Sequence, residues 1–377
     1  MLCLGSGIIV AVNFPGTMKK VNFIGEMYLK LMELCVVPLI FLSILSSAVS
    51  FMKSRIKIEL VLYFKYWFSG ASVLAVIGLG IAYIWYVPVN INKSIEEYQG
   101  IATMNLSEVL ENAVPNNIIG AFLSENILEV IVVAVLISFA VRNLSDEKKI
   151  KVVNCVDIMY TLQKEIVALL IKGLPIGIFF LASKIIGSGG GIKLKGTANM
   201  IVAIYIGYFM AFGVVYPIIV RKKLQESYRE FIKRYCKALI MAFVSCSSSS
   251  AFPLVIDAVN QNSKKADETL AGISLILKHA NCLQTPIYCV FVAKMYNIQL
   301  SFALLMLACV FGIFSSIGTA GIPGGGIVSI AAVFKMLNLP LEYVTIIAGI
   351  YPVVDILGTA MNVLDDCIGL TMVQKNS

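Results

Sequence analysis

Apolar residues run along most of this chain in long stretches, and the short polar segments between them set the expected elements. Residues 23–52, 60–86, 114–141, 159–183 and 197–220 are each long enough to cross a hydrocarbon core, which takes about 20 helical residues. The first of these carries Glu26, Lys30 and Glu33 at helical spacing along one face. The fourth contains Lys-Gly-Leu-Pro at 172–175, where proline predicts a helix break. Residues 1–12 are apolar but amount to only about half a span, and they lack the basic start of a signal peptide. They predict a curtailed first helix.

Beyond Arg234 the apolar runs become too short to cross. Residues 302–314 and 327–339 flank SSIGTAGIPGGG at 315–326. Glycine costs about 1 kcal/mol and proline about 3 kcal/mol in a helix interior, so that segment cannot stay helical. Two readings fit: an interfacial loop between short helices, or a re-entrant hairpin whose tip offers unpaired backbone groups to a ligand or ion. Residues 238–259, ALIMAFVSCSSSSAFPLVIDAV, repeat the pattern, broken at Ser245 and at 247–250 and closed by Pro253. After each hairpin comes a span with polar residues in its middle: 271–293, interrupted by KHANCLQT at 278–285, and 341–372. A hairpin followed by a broken span, twice over, is the mark of a secondary transporter with inverted repeats, whose site forms at the midplane. The expected fold is an all-α polytopic membrane protein with about eight transmembrane helices and two re-entrant helical hairpins.

Composition supports a membrane setting. Of 377 residues, 59% are hydrophobic and only 14% charged, against roughly a quarter charged in soluble domains. The net charge of +8 lies in short clusters between spans, which excludes a nucleic-acid partner and sets orientation instead. Lys53, Arg55 and Lys57, then Arg142, Lys148, Lys149 and Lys151, then 221–223 alternate with an acidic loop holding Glu96, Glu97, Glu108 and Glu111. The basic loops are therefore read as cytoplasmic, and the carboxyl terminus with them. Nine cysteines scattered through apolar runs and a single histidine support neither a disulfide framework nor a zinc site; the cysteines read as small buried residues.

Polar residues inside spans carry the chemistry. Asp355, Thr359, Asn362 and Asp366 follow spacings of four, three and four, which sets them along one helical face. Ionisable groups there are costly and mark ion or substrate paths. A stripe of oxygen donors suits a monovalent cation or a substrate ammonium; the plainer alternative is a stripe that holds helices together. Lys278 and His279 lie beside Asn281, Gln284 and Thr285 in the middle of a span. They are either charge partners of Asp355 or Asp366, or a coupling device in which His279 titrates or Lys278 supplies a fixed positive charge. An intramembrane hydrolase using Ser247–Ser250 with His279 and an ion channel are the competing classes. The four-serine run defines no nucleophile, and neither class explains the duplicated hairpins.

VPNNIIGAF, LPIGIFFL, SSSSAFP, SSIGTAGIPGGG and DILGTAMNVLDD occur in an order and spacing that resembles the dicarboxylate/amino acid:cation symporters. The resemblance runs from the second span to the end. It implies a glutamate-transporter-like inverted-repeat fold, a homotrimer in the plasma membrane, and a transport domain that moves like an elevator against a scaffold. Residues 1–112 would be the first three scaffold helices, 113–230 the remaining scaffold and transport helices, and 231–377 the transport core. The function implied is symport of an amino acid with sodium or protons, without enzymatic activity and with no cofactor beyond the driving ion. Carried over by position, Ser247, Ser248 and Ser249 would hold a substrate carboxylate, and Ser316, Ile317, Thr319, Gly321 and Ile322 would cover the substrate, with Ser316, Ile317 and Thr319 also offering oxygens to a cation. Asp355 would bind the amino group, with Thr285, Gly358, Thr359 and Asn362 around it. Asn281, Asn362 and Asp366 would hold one sodium ion.

The departures from the family pattern narrow the expectation. Gly358 and Cys246 stand where acidic-substrate carriers place an arginine, so a neutral amino acid is expected rather than an acidic one or a dicarboxylate. Leu283 replaces the acidic residue of a second cation position, and Gly70 and Ala71 replace its hydroxyl partners. Reduced ion coupling, proton coupling or exchange are therefore left open.

Overall fold

A computed structural model of the chain describes residues 6–7, 9–10, 13–53, 57–85, 111, 114–123, 127–187, 190–260, 274, 278–318 and 325–376. All regular structure among them is helical. In chain order the helices are α1 (Pro15–Leu34), α2 (Val36–Lys53), α3 (Lys57–Ile84), α4 (Ile118–Leu123), α5 (Ile127–Arg142), α6 (Asp146–Gly187) and α7, a continuous helix over 190–224 with π turns at Ala211–Val215 and Val220–Leu224. They continue as α8 (Tyr228–Ser245), α9 (Ser248–Asn260), α10 (Ala280–Met295), α11 (Phe302–Gly318), α12 (Gly325–Met336) and α13 (Glu342–Asn376).

Three stretches depart from the sequence expectation. Residues 23–52, expected as one tilted span, are two helices that meet at a turn on Cys35. Pro38 lacks an N–H and its ring crowds the carbonyl four residues back, so the chain leaves the helix at Leu34 and restarts. In α6 the reverse holds, because the helix continues through Pro175. Tyr28 of α1 covers this region: its hydroxyl donates to the Leu170 carbonyl at 2.9 Å, and its ring fills the space a side chain at Gly177 would need. Similarly, α9 runs through Pro253 to Asn260. The acidic loop, Glu111 apart, and the tip at 319–324 lie outside the described residues. Not all cysteines are buried either, for Cys155 and Cys236 are exposed.

The polarity of the molecule is that of a membrane protein. Helices Val61–Ile84, Lys195–Leu224 and Glu342–Lys375 are long and apolar enough to cross a bilayer. Phe64, Phe68 and Val76 on α3 and Phe209, Val214 and Ile218 on α7 point outward, a contiguous apolar surface that water would not tolerate. The centre is α10, buried along nearly its whole length and packed by α3, α7, α11, α12 and α13. Glycines permit this closeness. A Cβ on Gly78 would meet the Leu283 carbonyl, and one on Gly312 would lie 3.3 Å from the Cys282 carbonyl oxygen and from Thr285.

Helices α8 and α9 are joined at Cys246 and Ser247, pack on each other and lie along α13. The pair leaves from beside Leu224 and returns to the same end of the molecule, where Gln374 donates to the Val259 carbonyl at 3.2 Å and Lys375 donates to the Leu224 carbonyl. Helices α11 and α12 also pack on each other.

Candidate functional site

Asp355 occupies the middle turns of α13, half-buried, with the Thr359 hydroxyl in hydrogen-bonding reach one turn on. Two helix interruptions pack on the same helix. Cys246 lies in the bend between α8 and α9, both of which pack along α13. It adopts φ of 49°, a left-handed conformation costly for any residue with a Cβ. One turn before Asp355, the Tyr351 hydroxyl meets the backbone of Gly326 at the start of α12, where a Cβ would collide with it. Tyr208 of α7 reaches the same stretch of α13, its hydroxyl at the Val354 carbonyl and in front of Gly358.

The bend is organised by its own serines. Ser245 Oγ accepts from the Ser247 N–H at 3.2 Å, and Ser247 Oγ accepts from the Ser250 N–H at 3.3 Å, so Ser247 acts as the N-terminal cap of α9. Ser248 is buried, while Ser249 and Ser250 are exposed.

Gly358 faces a filled space. A Cβ there would lie 2.7 Å from the Tyr208 hydroxyl and 3.1 Å from Gln284 Nε2. Gln284 Nε2 donates to the Tyr208 hydroxyl, which donates to the Val354 carbonyl at 3.2 Å. Gln284 Oε1 and the Tyr288 hydroxyl are buried without a hydrogen-bond partner. Such groups cost about 1–3 kcal/mol each when left unmade, so the space between α10 and α13 holds unused polar capacity.

About three turns beyond Asp355 along α13 the site becomes ionic. Lys278, His279, Asp365 and Asp366 are 3%, 1%, 0% and 1% exposed. Lys278 Nζ lies 2.7 Å from Asp366 Oδ2, and His279 Nδ1 lies 2.7 Å from Asp365 Oδ1. Asp365 Oδ1 also accepts from the Tyr66 hydroxyl at 2.5 Å. His279 Nε2 lies 2.8 Å from the Trp67 carbonyl oxygen, and its ring stacks on Trp67 at 6.3 Å against Gly70, where a Cβ would come within 2.6 Å of the imidazole. Asn362 Oδ1 accepts from the backbone N–H groups of His279 and Ala280 at 3.0 and 2.9 Å, capping α10 from across the interface.

Among the sequence-predicted site residues, Asp355, Gly358, Thr359, Asn362 and Asp366 all lie on α13, and of these Asn362 and Asp366 meet His279 and Lys278. Asn281 and Thr285 sit in the first turns of α10, Thr285 buried against Gly312. Ser316 is buried and its hydroxyl donates to the Ile313 carbonyl at 2.6 Å. The side chain of Ile317 and the whole of Thr319, Gly321 and Ile322 lie outside the described residues. Leu283 is fully buried in an apolar seat against Gly207 of α7, which no cation would occupy. His279 is not available as a base for a serine, since both of its nitrogens face Trp67 and Asp365. Sequence reasoning missed Asp365, Tyr66, Trp67 and Tyr208. Asp365 falls off the helical stripe by a single position, and the aromatic partners come from distant helices.

The chain matches the profile of the Sodium:dicarboxylate symporter family over residues 1–376. It is 23% identical over 391 aligned positions to the proton/glutamate-aspartate symporter of Bacillus subtilis, covering 100% of this chain and 93% of that protein. It is 25% identical over 373 positions to the C4-dicarboxylate transport protein of Rhizobium leguminosarum, covering 93% of this chain and 82% of that protein. A C4-dicarboxylate transport protein of Edwardsiella ictaluri is likewise 25% identical, over 369 positions that cover 93% of this chain and 85% of that protein.

Proposed function

Since this chain belongs to the Sodium:dicarboxylate symporter family, a family of transporters and not of enzymes, we propose that it is a plasma-membrane carrier for a small amino acid, driven by a cation gradient. The observation that carries this reading is that both interrupted helix pairs pack on the helix that carries Asp355: α8 and α9 lie along α13, and α12 meets it where Gly326 backs onto Tyr351. A substrate ammonium pairs with the Asp355 carboxylate. Its carboxylate takes the serines of the bend at 247–249 and the backbone N–H groups that start α9, and Thr359 supports Asp355. The Ser316, Thr319, Gly321 and Ile322 segment closes over the substrate, with Ile317 beside it.

The α8–α9 pair leaves from and returns to one end of the molecule, and that supports re-entry from one face of the membrane. Residues 221–223 and the carboxyl terminus share that end, which makes it cytoplasmic by the positive-inside rule. Residues 231–377 would then move as the transport core against 1–112 and parts of 113–230, in an elevator assembled as a homotrimer.

Gly358 and Cys246 favour a neutral amino acid. Tyr208 and Gln284 fill the space in front of Gly358, leaving hydrogen-bonding groups but no guanidinium for a second carboxylate. A second reading, symport of an acidic amino acid or C4-dicarboxylate, is favoured by what the relatives are named for. Uptake of labelled serine, alanine, aspartate and succinate into proteoliposomes, under a sodium gradient, a proton gradient or neither, tests both. Accumulation of serine or alanine that Asp355→Asn abolishes is the expected result. Accumulation of aspartate or succinate alone selects the second reading. Exchange without accumulation removes the symport step, and no flux of any of the four overturns the carrier reading for these solutes.

A further inference from the structure

The family's name carries sodium as a transported ion, and the residues at Asp366 do not fit it. Asp366 Oδ2 already faces an ammonium at 2.7 Å, its Oδ1 is buried without a hydrogen-bond partner among the described residues, and the Asn362 side-chain oxygen accepts two backbone hydrogen bonds. Charge makes the same point. The Trp67 carbonyl can only accept, so His279 Nε2 carries a proton. His279 Nδ1 faces Asp365 Oδ1 at 2.7 Å without the alignment of a hydrogen bond; two bare lone pairs at that distance would repel, and one proton between them makes the pair neutral overall. Lys278 and Asp366 form a second neutral pair. Four buried ionisable side chains therefore close to zero net charge with no external ion. An alkali ion added to this set would leave an uncompensated positive charge out of contact with water, which is strongly disfavoured.

We propose that the Lys278 ammonium is a resident cation tethered in the position an alkali ion would take at Asp366, so that this position neither binds nor transports sodium in the native protein. The inference rests on the carrier reading for its consequence in transport, but the site itself can be tested without transport. Lysine makes this possible because it reaches the carboxylate as a compact point charge on an apolar stem, and Lys278 sits just before α10, where its backbone is held by the Asn362 cap on the next two residues. The exchange is between one monovalent cation that moves and one that cannot.

The test is thermal unfolding of purified protein in detergent, in sodium chloride and in choline chloride at equal ionic strength. Lys278→Met, which keeps the length and removes the charge, is compared with the native chain, with Lys278→Arg and with Lys278→Met/Asp366→Asn. The expected result is a saturable sodium-specific rise of at least a few degrees in Lys278→Met, with no such additional response in the native chain, in Lys278→Arg or in the double variant. An equal sodium response in native chain and Lys278→Met overturns the proposal. So does a Lys278→Met protein that stays unfolded at every sodium concentration while the double variant folds, since sodium would then be unable to replace the ammonium. Absence of solute uptake by the native chain would count against the carrier reading and leave the thermal result standing.

Discussion

Gly70 lets a single methyl group weigh packing against helix propensity. Alanine in place of glycine favours a helix by about 1 kcal/mol. At this position, however, the new Cβ would lie 2.6 Å from a buried imidazole held by Trp67 and Asp365, and overpacking costs about 1–3 kcal/mol. The clash wins, because the ring cannot shift without leaving buried partners unpaired. Gly70→Ala is expected to unfold at lower temperature than the native protein, and an unchanged or higher midpoint would show that the ring is not confined. Removing the Lys278 charge strands the Asp366 carboxylate, a loss of about 3–5 kcal/mol for a broken buried pair, measurable in choline where no alkali ion can compensate. Asp355 differs from both. It is half-buried and has no basic partner among the described residues, so Asp355→Asn is expected to abolish uptake with the unfolding midpoint nearly unchanged.

Helix ends carry the next set of consequences. Asn362 belongs to α13 but caps α10, so one side chain ties the interrupted span to the last helix. Asn362→Ala removes the acceptor of two N–H groups and is expected to cost about 1–2 kcal/mol, with uptake falling by more than stability alone explains because Lys278 and His279 lose their positioning. The bend at Cys246 has the opposite character. A side chain in the left-handed region costs about 1–2 kcal/mol that glycine avoids, partly offset by the extra freedom of glycine in the unfolded chain. Cys246→Gly is expected to raise the unfolding midpoint slightly. A lower midpoint would mean that the thiol makes a contact worth more than the strain.

At the scale of the whole molecule, the basic cluster 221–223 and the end of α13 share one end, tied by Lys375 to the Leu224 carbonyl. With Cys155 and Cys236 replaced by serine, a Lys222→Cys variant in intact cells is expected to react with a membrane-impermeant maleimide only after permeabilisation. Labelling of intact cells would invert the orientation. The apolar outer surface of α3 and α7 and the buried ionic cluster together reverse the polarity of a soluble protein, as a bilayer requires.

Much of this was legible in the chain itself. Long apolar runs fix helices and a membrane because no other backbone arrangement of such sequences satisfies its hydrogen bonds in lipid. The serine run announced the bend at Cys246 and Ser247, and the four-three-four spacing put Asp355, Thr359, Asn362 and Asp366 on one face. Local pattern failed where a distant partner decides the outcome. Tyr28 covers α6 where it passes through Pro175; the break before Pro38, by contrast, is local and was readable from the proline itself. The sequence named Lys278 and His279 as out of place but left their partners open. Only the tertiary structure assigns Asp366 to one and Asp365 to the other, because pairing depends on how α3, α10 and α13 pack, and the glycines that allow that approach, Gly70 and Gly78, carry no side-chain signal of what they face.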